Sequence, residues 1–401
     1  MQGSHVASSQ LESVYEYARA VPLADNHVHS IYRNAPGLRE YAECLFLAGD
    51  EAMIPELSGT TPGRLLTCEI MPRFAEWSGM QTSGTAFGAY LEQQAALSST
   101  DRRRWTETLL KETGTKTWIL DDGCAKNVLL PAGMFAAISH GRVYRSVRLE
   151  TLGEEALRAI DGEPEAFVAV FRRILSRKSE AESTVAFKSI AAYRTGFGID
   201  WNPPDDSSLI RAVKTAIRQP KPHVDDPLVE AFIVSEALKT GLPIQFHVGF
   251  GDSDAILADG DPTLLKPLID RAAEKCVPVI LLHCAPFERQ AAWLCSLHRN
   301  VYMDLSLTML HAGNRTQDII ERTLEWCPPA RLVYGSDGIG VPETHALEAS
   351  VWRAAVAGVY VKRVKEGLLD IDEACREIDM MSHGTSERLY KLGRHSPIAR
   401  N

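Results

Sequence analysis

Residues 228–247 read LVEAFIVSEALKTGLPIQFH, and this stretch decides the fold. Leu228, Val229, Phe232, Ile233, Ala237 and Leu238 fall at the spacing of one helical face. Gly241 stands where a helix C-cap is expected, and Pro243 prevents the helix from continuing. An apolar run, 242–246, starts at once and ends at His247. A helix, a turn of a few residues and a buried strand make an αβ unit, and connections this short are typical of barrels.

The same alternation extends in both directions. Candidate strands lie at 21–25, 117–120, 143–149, 184–190, 242–246, 277–282, 301–305 and 331–335, separated by longer helical patterns. Eight β-rich runs alternating with helices predict an α/β chain, a (β/α)8 TIM barrel with a parallel sheet. Some 85 residues between the first two strands, about 30–116, carry mostly helical patterns broken at Pro55, Pro62 and Pro72. They read as a helical insertion after strand one, over the face where barrels bind substrate. Residues 343–366 read as the last barrel helix. Residues 372–392 read as a C-terminal helix packed outside, with a structural role. The whole chain, 1–401, is expected to be one domain, since barrels run long.

Composition narrows the function classes. Of 401 residues, 45% are hydrophobic and 24% charged, as in ordinary globular proteins. The 43 basic side chains are outnumbered by 52 acidic ones, for a net charge of −9. The basic run Arg102-Arg103-Arg104 is short and interleaved with acids, so nucleic acid is not the expected partner. No apolar run approaches the ~18 residues that span a bilayer. Residues 1–10 are polar and lack the apolar stretch of a signal peptide. Eight cysteines with no CxxC spacing suit free thiols in a reducing compartment. The expectation is a cytoplasmic protein acting on a small molecule, away from membranes, with a homo-oligomer left open.

In a TIM barrel the active site is built at the C-terminal ends of the strands. His27, His29, Lys188, His247, His283 and Asp337 all stand at or just past an apolar run. Two residues apart on an extended chain, His27 and His29 project to the same side and can chelate one cation. Imidazole with carboxylate suits zinc, iron, manganese or cobalt. His247 ends a buried strand before a glycine and reads as a further ligand. Asp337, at the end of the last strand, can ligate a metal and take the proton of an attacking water. His283 can ligate, or hydrogen-bond substrate or water. Lys188 has three readings: a carbamylated bridge between two metals, an ammonium that binds substrate or a buried carboxylate such as Glu150, or a structural side chain snorkelling to the barrel mouth. Arg194, just past strand four, and Arg33, just past the histidine pair, could hold a substrate carboxylate bidentately.

The ordered set HxH, Lys, His, His and Asp resembles the amidohydrolase superfamily. Residues 241–249, Leu281-Leu282-His283, 301–306 and Tyr334-Gly335-Ser336-Asp337 are similar to the amidohydrolase-related family within it. Residues 187–196, FKSIAAYRTG, are similar to the amidohydrolase half of fused amidohydrolase–glutamine synthetase proteins. The resemblance covers about 21–392. It implies a barrel with one or two divalent metals, zinc first and manganese or iron as alternatives. His27, His29, His247 and Asp337 match metal positions, and Lys188 matches the bridging lysine of binuclear members. His283 matches a histidine that ligates in some members and assists catalysis in others.

The implied reaction is hydrolysis of a C–N bond, an amide and in particular a γ-glutamyl amide, of a carboxylate-bearing substrate. Two other readings remain open: metal-dependent non-oxidative decarboxylation, and a non-catalytic barrel associated with a glutamine synthetase.

Overall fold

The computed structural model describes residues 8–47, 56, 58–79, 87–124, 127–253 and 255–400. Among the described residues seven strands run in sequence order: β1 (Leu23–Val28), β2 (Thr115–Asp121), β3 (Arg142–Arg148), β4 (Thr184–Ser189), β5 (Ile244–Val248), β6 (Val279–His283) and β7 (Val301–Met303). Every neighbouring pair is parallel. Parallel strands covered by helices are buried on both faces, which is why they read as nearly continuous apolar runs. The connecting helices supply that cover. Pro227–Leu238, whose Asp226 cap accepts a 2.8 Å hydrogen bond from Leu228 N–H, is buried along almost its whole length. Its C-cap is Lys239, and Gly241 two residues later takes the positive φ that turns the chain into β5.

The eighth strand expected at 331–335 is not a regular strand. Residues 332–338 bridge β7 to β1 through individual bonds: Val333 N–H to Met303 C=O, Asn26 N–H to Tyr334 C=O and Asp337 N–H to His27 C=O, each 2.9 Å. Tyr334 N–H goes instead to the carbonyl of Met381, so the C-terminal segment takes one of the bonds a ladder would need.

Two other expectations shift. β3 ends at Arg148 because helix Leu149–Ala159 begins there, placing Glu150 in a helical first turn. The C-terminal segment is helical at Ile371–Asp379, widens to a π-turn at Met380–Gly384 and continues at Thr385–Leu389. It does not only pack outside. Leu389, Tyr390 and Leu392 cluster with Ile119, Tyr144, Ala186 and Ile280, inward side chains of β2, β3, β4 and β6. The chain end therefore plugs the barrel from the N-terminal ends of its strands.

The expected insertion is helical where described, at Leu38–Phe46, Thr61–Ser78, Phe87–Ala96 and Ser99–Glu112. Pro55 lies outside the described residues. Tyr41, Phe74, Tyr90 and Trp105 pack with Leu347 of helix Pro342–Lys365. Buried Glu343 accepts a 2.5 Å hydrogen bond from Tyr90 and a 2.9 Å bond from Gln94, tying the insertion to that helix. Glu43, Cys44 and Leu47 thereby reach the rim of the main cavity.

Candidate metal centre

His27 lies within β1, fully buried. Its Nδ1 is 3.1 Å from Oε1 of Gln245 on β5. The orientation of that amide is fixed by chemistry. Gln245 Nε2 sits 2.7 Å from the backbone carbonyl of Asn26, which can only accept. Oε1 therefore faces His27, and His27 carries its proton on Nδ1. His29 repeats the pattern, with Nδ1 3.1 Å from the carbonyl of Asp121. Both rings are left with a lone pair on Nε2.

Those lone pairs converge. Nε2 of His27 and Nε2 of His29 each lie 3.3 Å from Oδ1 of Asp337. Asp337 reaches them from the bridging segment by taking a left-handed φ of 54°, a conformation aspartate tolerates. Burial, aided by Lys188, pushes His27 down to about 4, so its ring is neutral. Burial opposes ionisation of Asp337, yet its carboxyl is held well below the usual range. Two imidazole lone pairs and a carboxylate oxygen thus point at one another with no proton between them. His27 Nε2 and Asp337 Oδ1 are both buried without a hydrogen-bond partner. Left so, they would carry a desolvation cost. The donor set fits a divalent cation, and among the described residues these three groups lie within 4.8 Å of one another.

The cluster opens into a cavity of about 330 Å³ at the C-terminal ends of the strands. His283, at the end of β6, gives Nδ1 to Ser306 Oγ at 2.9 Å and lies 3.8 Å from Asp337 Oδ2. Asp304 steadies it, accepting from His283 N–H at 2.7 Å and from Ser306 Oγ at 2.8 Å. His283 and Cys284 both take left-handed φ, 68° and 69°, and this backbone strain sits at the cavity wall.

The family model described as Amidohydrolase matches residues 141–392, more than half of the chain. This chain belongs to the amidohydrolase family. Protein fluG of Emericella nidulans is 28% identical over 425 residues, covering 97% of this chain and 48% of the relative, so the chain spans about half the length of that protein. A Lactobacillus casei structure assigned as a metal-dependent hydrolase superposes with a TM-score of 0.82 at 22% identity, covering 95% of this chain and 98% of the other. A uronate isomerase of Thermotoga maritima gives a TM-score of 0.66 at 11% identity, covering 97% and 99%. At these identities the likeness is one of fold alone.

Of the other expected site residues of this amidohydrolase, His247 and Lys188 line the cavity without joining the donor cluster, while Arg33 and Glu150 lie outside it. His247 lines the cavity, its ring centroid 4.4 Å from that of His283, but it does not join the donor cluster. Its Nε2 sits 3.0 Å from the carbonyl of Phe250, which can only accept, so Nε2 carries the proton. Gly251 permits this close turn, since a Cβ there would collide with Tyr193 and His247. Arg33 gives Nε to Leu129 C=O at 2.7 Å and lines neighbouring hollows, not this cavity. Glu150 is not the partner of Lys188. Its Oε1 accepts from Ser189 Oγ at 2.8 Å and Ile190 N–H at 2.7 Å, and Ser189 faces away from Lys188 because strand residues alternate. Lys188 itself lines the cavity, buried, its Nζ without a partner. Burial pushes Lys188 down to about 8 against the pull of Asp337 and Asp121. Among the described residues no second donor cluster forms around it.

Arg194 does line the cavity and lies 4.0 Å from Glu154. Sequence reasoning passed over Arg148 and Tyr193, which line it too. Arg148 grips Asp121 through Nη2 at 2.6 Å and Nε at 3.1 Å, while Asp121 steadies His29 through its carbonyl. The signal for Arg148 was position, the last residue of β3, and Tyr193 follows β4 by four residues.

All eight cysteines are free thiols. Among the described residues no helix is long and apolar enough to cross a membrane.

Proposed function

We propose that this amidohydrolase cleaves a C–N bond, an amide, in a small carboxylate-bearing molecule, with a γ-glutamyl amide as the first candidate. The observation that carries the reading is the convergence of His27 Nε2, His29 Nε2 and Asp337 Oδ1 at 3.3 Å beneath a cavity that Lys188 and Arg194 also line. A divalent ion held by those three donors, zinc first and manganese or iron as alternatives, would supply Lewis acidity, polarising a carbonyl oxygen and acidifying water to a pKa of about 7.

The chain's own groups do the rest. Asp337, ionised, accepts the proton of the attacking water and returns it to the leaving amine. His283 is neutral, because burial holds it well below the ordinary histidine value. With Nδ1–H committed to Ser306, its Nε2 can accept a hydrogen bond from water or from the substrate amide. Arg194, which lines the cavity 4.0 Å from Glu154, would present its guanidinium fork to a substrate carboxylate. The Lys188 amine adds a second contact to the substrate from the cavity wall.

The test is amine or ammonia release from a panel of γ-glutamyl and other N-acyl amino acids by zinc-, manganese- and iron-loaded protein, with a chelated control. Metal-dependent amine release supports the reading. Carbon dioxide release from aromatic acids without amine release would replace it with decarboxylation.

A further inference from the structure

Tyr390 lies outside the cavity, in the C-terminal plug, yet two of the cavity's histidines are oriented through it. Burial keeps its phenol protonated, so the hydroxyl has one proton to give and lone pairs to offer. It gives the proton to Asn26 Oδ1 and accepts from Gln245 Nε2 at 2.9 Å.

Each bond has a consequence one residue further on. Gln245 now has both amide hydrogens in use, one on Tyr390 and one on the Asn26 carbonyl. Its Oε1 is left to accept from Ser146 Oγ at 2.8 Å and from His27 Nδ1 at 3.1 Å. Asn26, its Oδ1 occupied, must turn Nδ2 to Asp304 Oδ2 at 2.8 Å. Asp304 Oδ1 takes the Ser306 hydroxyl proton, so Ser306 accepts from His283 Nδ1. One hydroxyl thus joins two chains, one ending on His27 and the other on His283. Tyr390, Asn26, Gln245, Asp304 and Ser306 are all buried.

We infer that Tyr390 is a positioning residue for the metal centre: together with the Asn26 carbonyl and Asp304, it holds Gln245 and Asn26 in the orientations that keep the proton on Nδ1 of His27 and of His283. The inference rests on the reading of His27, His29 and Asp337 as metal donors. His27 can offer Nε2 to a cation only in the Nδ1–H tautomer. Partners of this kind set ligand orientation and are commonly worth about 10–100-fold in metal affinity. The competing account is packing alone, since the Tyr390 ring also fills the barrel among Ile119, Ala186 and Ile280.

Two variants separate these accounts. Tyr390→Phe keeps the ring and removes the hydroxyl. Leu389→Ala loosens the same plug without touching either chain. The zinc dissociation constant, measured by chelator competition, is expected to weaken by about 10–100-fold in Tyr390→Phe and to stay unchanged in Leu389→Ala. Equal weakening in both, or none in Tyr390→Phe, overturns the inference. A second measurement needs neither metal nor variant: nitrogen-15 shifts of the imidazoles in metal-free wild-type protein should show His27 as the Nδ1–H tautomer. Finding the Nε2–H tautomer overturns it. Should wild-type protein bind no zinc while the His27 tautomer still changes in Tyr390→Phe, the metal reading falls and the positioning role stands.

Discussion

Nε2 of His27 lies 3.3 Å from Oδ1 of Asp337, and neither atom carries a proton to share. The ring's single hydrogen is spent on Gln245, and the carboxyl is ionised. Two buried electron-rich atoms held that close need a cation between them, and this requirement grounds the predictions that follow.

Titration with zinc should reach one ion per chain. Binding should raise the thermal midpoint, since ligand at 100-fold over its dissociation constant contributes about 2.7 kcal/mol to the folded state. Chelation should reverse the shift. The double variant His27→Ala, His29→Ala should show neither uptake nor shift; retained uptake would mean that the donors lie elsewhere.

Asp337→Asn keeps size and an oxygen donor but removes the proton acceptor. Turnover should fall by at least about 10²-fold, the usual scale of general-base catalysis. Near-normal turnover in protein shown to hold metal would reject that role.

The two arginines named from the sequence should behave differently. Arg194→Ala should raise KM by about 10–100-fold with little change in kcat, matching the ~1.5–3 kcal/mol of a hydrogen bond to a charged group. Arg33→Ala should leave KM unchanged, because Arg33 lines neighbouring hollows and gives Nε to Leu129. Steady-state kinetics on both variants is the check, and a KM effect at Arg33 would place the substrate in the wrong hollow.

Lys188→Met should still bind one ion. The described donors form one cluster, and His247 has given Nε2 to Phe250. Metal analysis giving two ions in wild type and fewer in the variant, with wild-type mass raised by a carbamyl group, would restore the bridging role.

Glu230→Gln addresses stability and its pH dependence. Burial raises Glu230 well above the usual carboxylate range, with the charge of Glu150 acting in the same direction. A raised folded pKa means that fold and unfolded chain are both protonated at low pH and do not differ there. As pH rises past the unfolded value, the unfolded chain ionises while the fold resists, so wild type loses stability. The variant lacks that loss. Urea midpoints should therefore coincide near pH 4 and separate in favour of Glu230→Gln towards pH 8. Midpoints that do not separate would show the carboxylate to be paired.

Residues 228–247 and the seven similar stretches fixed the layout, because strand and helix periodicity and their punctuation are local properties. Cap, glycine and proline lie within a few residues of the element they end, as at Asp226 and Gly241. The candidate donors were legible too: a histidine or aspartate ending an apolar run must have a partner, and the run places it at the barrel's functional face. Which nitrogen each imidazole offers was not legible. That depends on Asn26, Asp121, Phe250 and Gln245, which lie up to 218 positions away in sequence from the ring they orient. The same holds for the placement of Arg33 and Glu150, both near the expected mouth in sequence and turned away from it in space. Least visible was the reach of the chain end. Tyr390 lies 364 positions from Asn26, and only closure of the barrel sets its hydroxyl between Asn26 and Gln245. The sequence by itself determined which residues could carry the chemistry, since residue type and period are written in it. Only the tertiary structure decided which of them face one another and in what protonation state, because hydrogen-bond direction is settled by contacts between segments far apart in the sequence.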